Sequence, residues 1–166
     1  MPIEGADRTP YSPLDPSGQF NQRSPMVSPD GRWVAYMSTQ SGRDEVYVRP
    51  FPEGGRRVQI SNNGGVEPMW GAESSELFYR EIDGGTTTMI ATQLRTDPEL
   101  RVVGREALFS GVYYFMDNWA RTVYDYDRQS DRFLVVTPDD GQAGDSLKIN
   151  VVFNWHQELL RLVPVN

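Results

Sequence analysis

The chain contains the stretch SPDGRWVAY at residues 28–36, and comparison with this stretch reveals repeats elsewhere in the sequence. Asp30 and Gly31 form a tight-turn signal, because glycine accepts the positive φ that a two-residue hairpin turn requires. Trp33 opens a run of aromatic and apolar residues that is typical of a strand. The stretch therefore predicts two antiparallel strands that are joined at Asp30 and Gly31.

The same pattern returns 43 positions later in the chain. Residues 25–36 align without a gap on residues 68–79. The same offset places the run VYV at 46–48 on the run MIA at 89–91, so a strand outside the first match keeps the register. Two copies of a β-rich unit are predicted, and internal repeats of this kind indicate a repeat architecture.

A third and weaker copy follows with wider spacing. It begins at residues 122–126 and includes the runs FLVV at 133–136 and INVVF at 149–153. The extra residues fall around 95–105 and 137–146, which are polar stretches where loops tolerate insertion. A period of roughly 40 to 45 residues with about four strands per unit is typical of β-propeller blades.

We predict an all-β fold, a β-propeller with about three four-stranded antiparallel blades per chain and a short C-terminal helical tail. The predicted parts form one module, and in chain order they are an outer strand at 8–14, blades at 20–61 and 65–110, a partial blade at 120–155 and the tail at 156–166. The outer strand precedes the first blade, whereas the partial blade lacks its own outer strand.

The surplus strand and the missing strand suggest how the fold is completed. A sheet edge left open exposes unpaired backbone groups that invite a partner strand. We expect residues 8–14 to close the blade at 120–155, with two chains related by a two-fold axis forming a six-bladed ring. The alternative is that further blades precede this chain.

Residues 28–36 resemble the SPDG-type repeat of TolB-like six-bladed β-propellers. The stretches EVYVRPFP at 45–52 and INVVFNW at 149–155 resemble the closing blades of propellers linked to bacterial Ser/Thr kinases. The resemblance implies a sensor or scaffold that binds a protein or peptide, and it implies a periplasmic or extracytoplasmic location. The kinase motifs themselves, such as His-Arg-Asp and Asp-Phe-Gly, do not occur in the sequence.

Composition narrows the set of partners. Sixteen basic and 23 acidic residues leave a net charge of −7, which disfavours nucleic acid as a partner. The chain has no cysteine, so disulfides and cysteine-ligated zinc are excluded. It also has no run of about 18 apolar residues, so we expect no membrane insertion by this chain. We expect no cofactor.

The sequence carries no catalytic pattern that we recognise, and we expect the protein not to be an enzyme. His156 is the only histidine, and no Gly-x-Ser-x-Gly motif accompanies it. Asp125, Asp127 and Asp131 superficially suggest a calcium loop. The pattern fails because Val136 stands at the twelfth position, where a bidentate glutamate is needed.

The best candidate for a ligand site is the mouth of the predicted channel. Connections between an outer strand and the next inner strand lie at that face of a propeller, and one of them contains Tyr114 and Trp119. Arg23, Glu67 and Arg121 are predicted to point toward the same mouth. A peptide, a small ligand or a sugar are the alternatives for the bound molecule. Salt bridges among the charges and core packing by the aromatics are the structural alternatives.

Overall fold

A computed structural model describes residues 18–113, 122–137 and 148–152. Within these ranges the chain forms eleven β-strands and no helix, which confirms the all-β prediction. The predicted outer strand at 8–14 and helical tail at 156–166 lie outside the described residues. The strands are β1 (Gln22–Val27), β2 (Trp33–Ser38), β3 (Glu45–Pro50), β4 (Val58–Gln59), β5 (Val66–Trp70), β6 (Glu76–Asp83), β7 (Thr86–Arg95), β8 (Arg101–Gly111), β9 (Tyr124–Asp127), β10 (Arg132–Thr137) and β11 (Lys148–Val152).

Consecutive strands pair antiparallel and form three separate sheets. Sheet 1 has the order β1-β2-β3-β4, sheet 2 has the order β5-β6-β7-β8, and sheet 3 has the order β9-β10-β11. Each sheet is thus a simple meander in which strands that are adjacent in sequence are also adjacent in space. In the described ranges, the three sheets do not close into a ring.

Hydrogen bonds of Ser28 close the hairpin of the SPDG stretch, whose connection spans residues 28–32 rather than only the two predicted residues. The Ser28 N–H donates to the Trp33 carbonyl oxygen at 2.9 Å, and the Ser28 hydroxyl accepts from the Trp33 N–H at 3.0 Å. The same hydroxyl donates to Asp30 Oδ1 at 2.6 Å. Gly31 adopts a φ of 74°, as the turn requires. The motif therefore closes the turn with side chains as well as with backbone.

The second sheet repeats this hairpin with different residues. The N–H of Gly71 donates to the carbonyl oxygen of Glu76 at 3.0 Å. Gly71 and Glu76 lie 43 positions after Ser28 and Trp33, so this bond is the equivalent of the backbone bond in the first hairpin. Glycine has no hydroxyl group, so the second hairpin lacks the side-chain bonds that Ser28 forms. The backbone geometry of the repeat is retained although the motif residues have changed.

The extra residues predicted as a loop around 95–105 mostly extend a hairpin. Strand β7 runs to Arg95 and β8 starts at Arg101, and these two residues face each other in the register. Only residues 96–100 connect them. Residues added on both sides of a turn can pair with each other, and pairing satisfies backbone groups that a loop would leave to solvent.

The three sheets pack face to face, with sheet 2 in the middle. Side chains alternate between the two faces of a strand. In β6, Leu77 and Tyr79 face sheet 1, while Phe78 faces sheet 3 and its ring centroid lies 4.8 Å from that of Phe133. The core between sheets 1 and 2 consists of Ala35, Val46, Val48, Ile60, Trp70, Leu77, Tyr79, Ile90 and Leu94. The core between sheets 2 and 3 consists of Met69, Phe78, Met89, Ala91, Tyr124, Tyr126, Phe133 and Val135.

The connection from sheet 1 to sheet 2 is held by a buried carboxylate. Glu45 is 1% exposed, and it accepts hydrogen bonds from Arg43 Nε at 2.7 Å, from the Gly64 N–H at 3.0 Å and from the Ser61 hydroxyl. Because Gly64 lies two residues before β5, these bonds position the first strand of sheet 2. That strand carries the candidate site.

Candidate functional site

The candidate site begins at two equivalent β-bulges in the first strands of sheets 1 and 2. The pairing of β1 with β2 shifts after Arg23, and the pairing of β5 with β6 shifts after Val66. Ser24 and Glu67, which are 43 positions apart, have φ values of 51° and 54°. Bulges redirect side chains, and strained backbone of this kind is often found at functional sites.

The bulge at Glu67 directs its carboxylate into the protein interior. Glu67 is fully buried, and its Oε1 lies 2.8 Å from Nη2 of Arg80, which is 2% exposed. Its Oε2 accepts a hydrogen bond of 3.4 Å from the Val123 N–H. The guanidinium carbon of Arg80 lies 5.8 Å from the ring centroid of Tyr124, within the range of a cation–π contact.

The backbone of Glu67 extends these contacts to the neighbouring sheets. Its carbonyl oxygen accepts a hydrogen bond of 2.6 Å from the Tyr124 hydroxyl, and its N–H donates to Met37 Sδ at 3.3 Å. Met37 belongs to sheet 1, Arg80 to sheet 2 and Tyr124 to sheet 3. We call Glu67, Arg80, Val123 and Tyr124 the Glu67 junction, because one residue here contacts all three sheets.

Burial dominates the electrostatics of the Glu67 junction. Removal from water raises the pKa of Glu67, and the positive charge and hydrogen bond of Arg80, with the Val123 N–H, offset only part of that rise. Burial also raises the pKa of Tyr124, and the nearby Glu67 carboxylate raises it further. The junction therefore holds a buried acid beside Arg80 and a neutral phenol, rather than an exposed acid or base.

Arg23, the other predicted site residue that the structure describes, has a different environment. Its Nη2 lies 3.4 Å from Asp44 Oδ1, and the two side chains are 30% and 23% exposed. The structure thus gives Arg23 and Glu67 separate ion-pair partners, one near the surface and one in the interior. Tyr114, Trp119 and Arg121 lie outside the described residues, and their part in a channel mouth stays a prediction.

Sequence reasoning missed Arg80 and Tyr124 as members of the junction. A signal for Arg80 was present, because it follows the apolar run Leu77, Phe78 and Tyr79 within a strand where a charge is unusual. A buried arginine requires a partner, and Glu67 is that partner. No comparable signal marks Tyr124, because an aromatic residue in a strand is ordinarily explained by core packing.

In the described part of the chain, no group of three or more histidine, aspartate or glutamate side chains is placed to hold a metal ion. The described residues also contain no helix of the length and apolarity needed to cross a membrane. Comparison with known proteins finds no matching family model and no matching curated protein.

Proposed function

We propose that this chain is a TolB-like β-propeller module that acts as a non-catalytic binding or sensor scaffold for a protein or peptide. The observation that carries the proposal is the arrangement of its sheets. Two four-stranded meanders and a three-stranded meander pack face to face in chain order, which is how consecutive propeller blades pack. The equivalent bulges at Ser24 and Glu67 and the equivalent hairpins support a repeated blade.

The non-catalytic part of the proposal is supported by the state of Glu67, the most buried acid among the described residues. The Glu67 side chain contacts Arg80 and the Val123 N–H, so both of its oxygens take part in contacts that join the sheets. An acid or base in catalysis must reach the proton that it transfers. Glu67 is 0% exposed and lacks that access.

We further propose that two copies of the chain close a six-bladed ring by exchanging strands. Sheet 3 has three described strands, and β11 forms its edge, whereas sheets 1 and 2 have four strands each. An open edge of backbone donors and acceptors favours the addition of a strand. Residues 8–14 of one copy would occupy the edge of β11 in the other copy.

The pairing is tested by placing cysteines in a chain that has none. The double variant Ser12→Cys and Asn150→Cys is treated with a short bismaleimide, and the mass of the untreated protein is measured by light scattering. We expect a solution mass of two chains and a covalent dimer on a denaturing gel. A matched control carries Ser12→Cys and Ser110→Cys, because Ser110 lies in β8 at an edge of sheet 2.

Three results would contradict strand exchange at β11. A monomeric mass with an internal cross-link would show that residues 8–14 close the blade of their own chain. A monomeric mass without any cross-link would show that these residues do not close it at all. A dimer in which the Ser110→Cys control cross-links equally well would also contradict pairing at β11.

A further inference from the structure

An open groove of about 580 Å³ lies between sheets 1 and 2 on the side of their last strands, β4 and β8. Its floor is apolar and half-buried, and the floor side chains pack against the core between the two sheets. They are Trp33, Val58, Leu100 and Val102. Trp33 belongs to the SPDG hairpin, so the motif that organises the fold also supplies an aromatic surface here.

The rim of this groove is positively charged. Arg56, Arg101 and Arg105 line it, and Glu99 is the one acidic residue among the described lining residues. Arg105 is held in place, because its Nε donates to the Ile60 carbonyl oxygen at 2.7 Å. Arg56 and Arg101 are exposed, and in the described part of the chain neither forms an ion pair.

A second groove, on the other side of sheet 2, shows that this charge is not a general property of the spaces between sheets. It has a similar size of about 560 Å³, but Arg105 and Arg128 are balanced there by Glu76, Glu106 and Asp131. The chain as a whole carries a net charge of −7. The positive excess is therefore local to the groove between sheets 1 and 2, which we call the basic groove.

We propose that the basic groove binds an acidic peptide segment of a partner protein, with an apolar residue of that segment resting on the floor. Arginine presents planar forked donors that match carboxylates, so the rim is complementary to aspartate and glutamate side chains. Tryptophan and arginine also dominate the binding energy of many protein interfaces. This inference rests on the proposed role as a binding scaffold, but it does not require a closed ring.

The test is a selection from a random twelve-residue peptide library on the immobilised full-length chain. Peptides that also bind the variant Arg56→Glu with Arg101→Glu are removed during selection. We expect the retained sequences to carry several acidic residues around one aromatic or branched apolar residue. A fluorescein-labelled peptide of the most frequent retained sequence is then titrated by anisotropy.

The titration compares the peptide affinities of variants in which one arginine is replaced by glutamate, so that each variant changes the charge by the same amount. We expect Arg101→Glu to weaken binding about tenfold or more, because a like charge then faces the peptide carboxylates. Arg128→Glu, in the second groove, is the matched control and should leave binding within about twofold. Leu100→Ser should also weaken binding, since it removes part of the apolar floor. Thermal unfolding followed by circular dichroism confirms that each variant is folded.

The proposal is overturned if no peptide is retained, if the retained peptides have no acidic excess, or if Arg101→Glu and Arg128→Glu have equal effects. Retention of sequences matching a segment of this chain would point to a second copy as the occupant and would overturn the assignment to a partner protein. The proposed ring is judged separately by mass and cross-linking. A monomeric chain that binds acidic peptides would refute the proposed ring and support peptide binding in the basic groove.

Discussion

The hydroxyl group of Tyr124 donates a hydrogen bond of 2.6 Å to the backbone carbonyl oxygen of Glu67. Tyr124 opens β9 and Glu67 lies in β5, so the bond joins the first strands of two neighbouring sheets. The same residue, Glu67, forms an ion pair of 2.8 Å with Arg80 through its side chain. A single bulge therefore supplies both the contact within sheet 2 and the contact to sheet 3.

Replacing Tyr124 with phenylalanine tests the contact between these sheets. The variant keeps the aromatic ring in the core and removes only the hydroxyl, so a buried carbonyl oxygen loses its donor. We expect the free energy of unfolding in urea to fall by about 1–2 kcal/mol. Tyr47→Phe is the matched control, because its longer bond of 3.3 Å to Gln59 Oε1 is only partly buried. Equal losses in the two variants would show that the bond to Glu67 contributes no more to the free energy of unfolding than the partly buried bond of Tyr47.

The buried ion pair predicts strong coupling between Glu67 and Arg80. Removing one partner leaves the other charge buried without compensation, so Arg80→Met should lower the free energy of unfolding by about 3–5 kcal/mol. The double variant Glu67→Gln with Arg80→Met should lose clearly less than the sum of the single variants, because neither buried charge remains. Urea unfolding of all four proteins completes the cycle. Additive losses would contradict the pairing seen in the structure.

The SPDG hairpin predicts acid sensitivity through Asp30. Partial burial acts to raise the pKa of Asp30, but hydrogen bonds from Ser28 and from the backbone and side chain of Arg32 outweigh it and hold the pKa well below its usual range. An aspartate with a lowered pKa contributes stability that is present above its unfolded pKa of about 4 and is lost as pH falls below that value. Asp30→Asn should therefore reduce stability at pH 7 and flatten the loss of stability between about pH 5 and pH 2.

Glu67 should affect the pH dependence in the opposite direction. Its raised pKa means that, between its unfolded and its folded pKa, the folded state holds a proton that the unfolded state has released. Its contribution is therefore fully present below about pH 4 and is lost as pH rises from there through the folded pKa. Glu67→Gln should remove this decline. Urea midpoints at several pH values give the dependence of stability on pH for each variant and for the unmodified protein. If Asp30→Asn and Glu67→Gln change that dependence in the same direction, the assigned directions are refuted.

Two glycines allow the effect of backbone conformation on stability to be distinguished from the effect of the space available for a side chain. An added Cβ would meet no atom within 4 Å at either Gly31 or Gly104, but only Gly31 has a positive φ, of 74°. Gly31→Ala should cost about 1–2 kcal/mol because a side chain is strained in that conformation. Gly104→Ala should be neutral or stabilising by about 0.5 kcal/mol, since it lowers the entropy of the unfolded chain. Thermal unfolding of the two variants provides the comparison, and equal effects would exclude the turn conformation as the cause.

The strands near the motif were predictable to within about one residue. The run from Trp33 to Met37 is strand β2, and the run from Glu45 to Arg49 is strand β3. Both follow turn residues and are rich in aromatic or β-branched residues, and such signals act over a few positions. The start of β8 at Arg101 was not predicted, because Gly104 interrupts the short strand signal of Val102 and Val103, and these residues are ordered by pairing with β7.

The candidate site was only partly predictable. Glu67 was singled out by its position in a connection, but its burial and its partner Arg80 were not foreseen. The partners of Glu67 come from β2, β6 and the start of β9, which are far apart in sequence. The basic groove likewise joins Arg56 with Arg101, and neither residue is unusual in the sequence.

By itself, the sequence determined the all-β class, the hairpin at Ser28 to Trp33 and the 43-residue offset. These features depend on turn geometry and on hydrogen bonds between residues a few positions apart, so they are encoded locally. Only the tertiary structure decided that Glu67 is buried against Arg80 and that arginines gather beside Trp33. Those outcomes depend on how the sheets pack against each other, because packing determines which distant side chains share an interior or a surface.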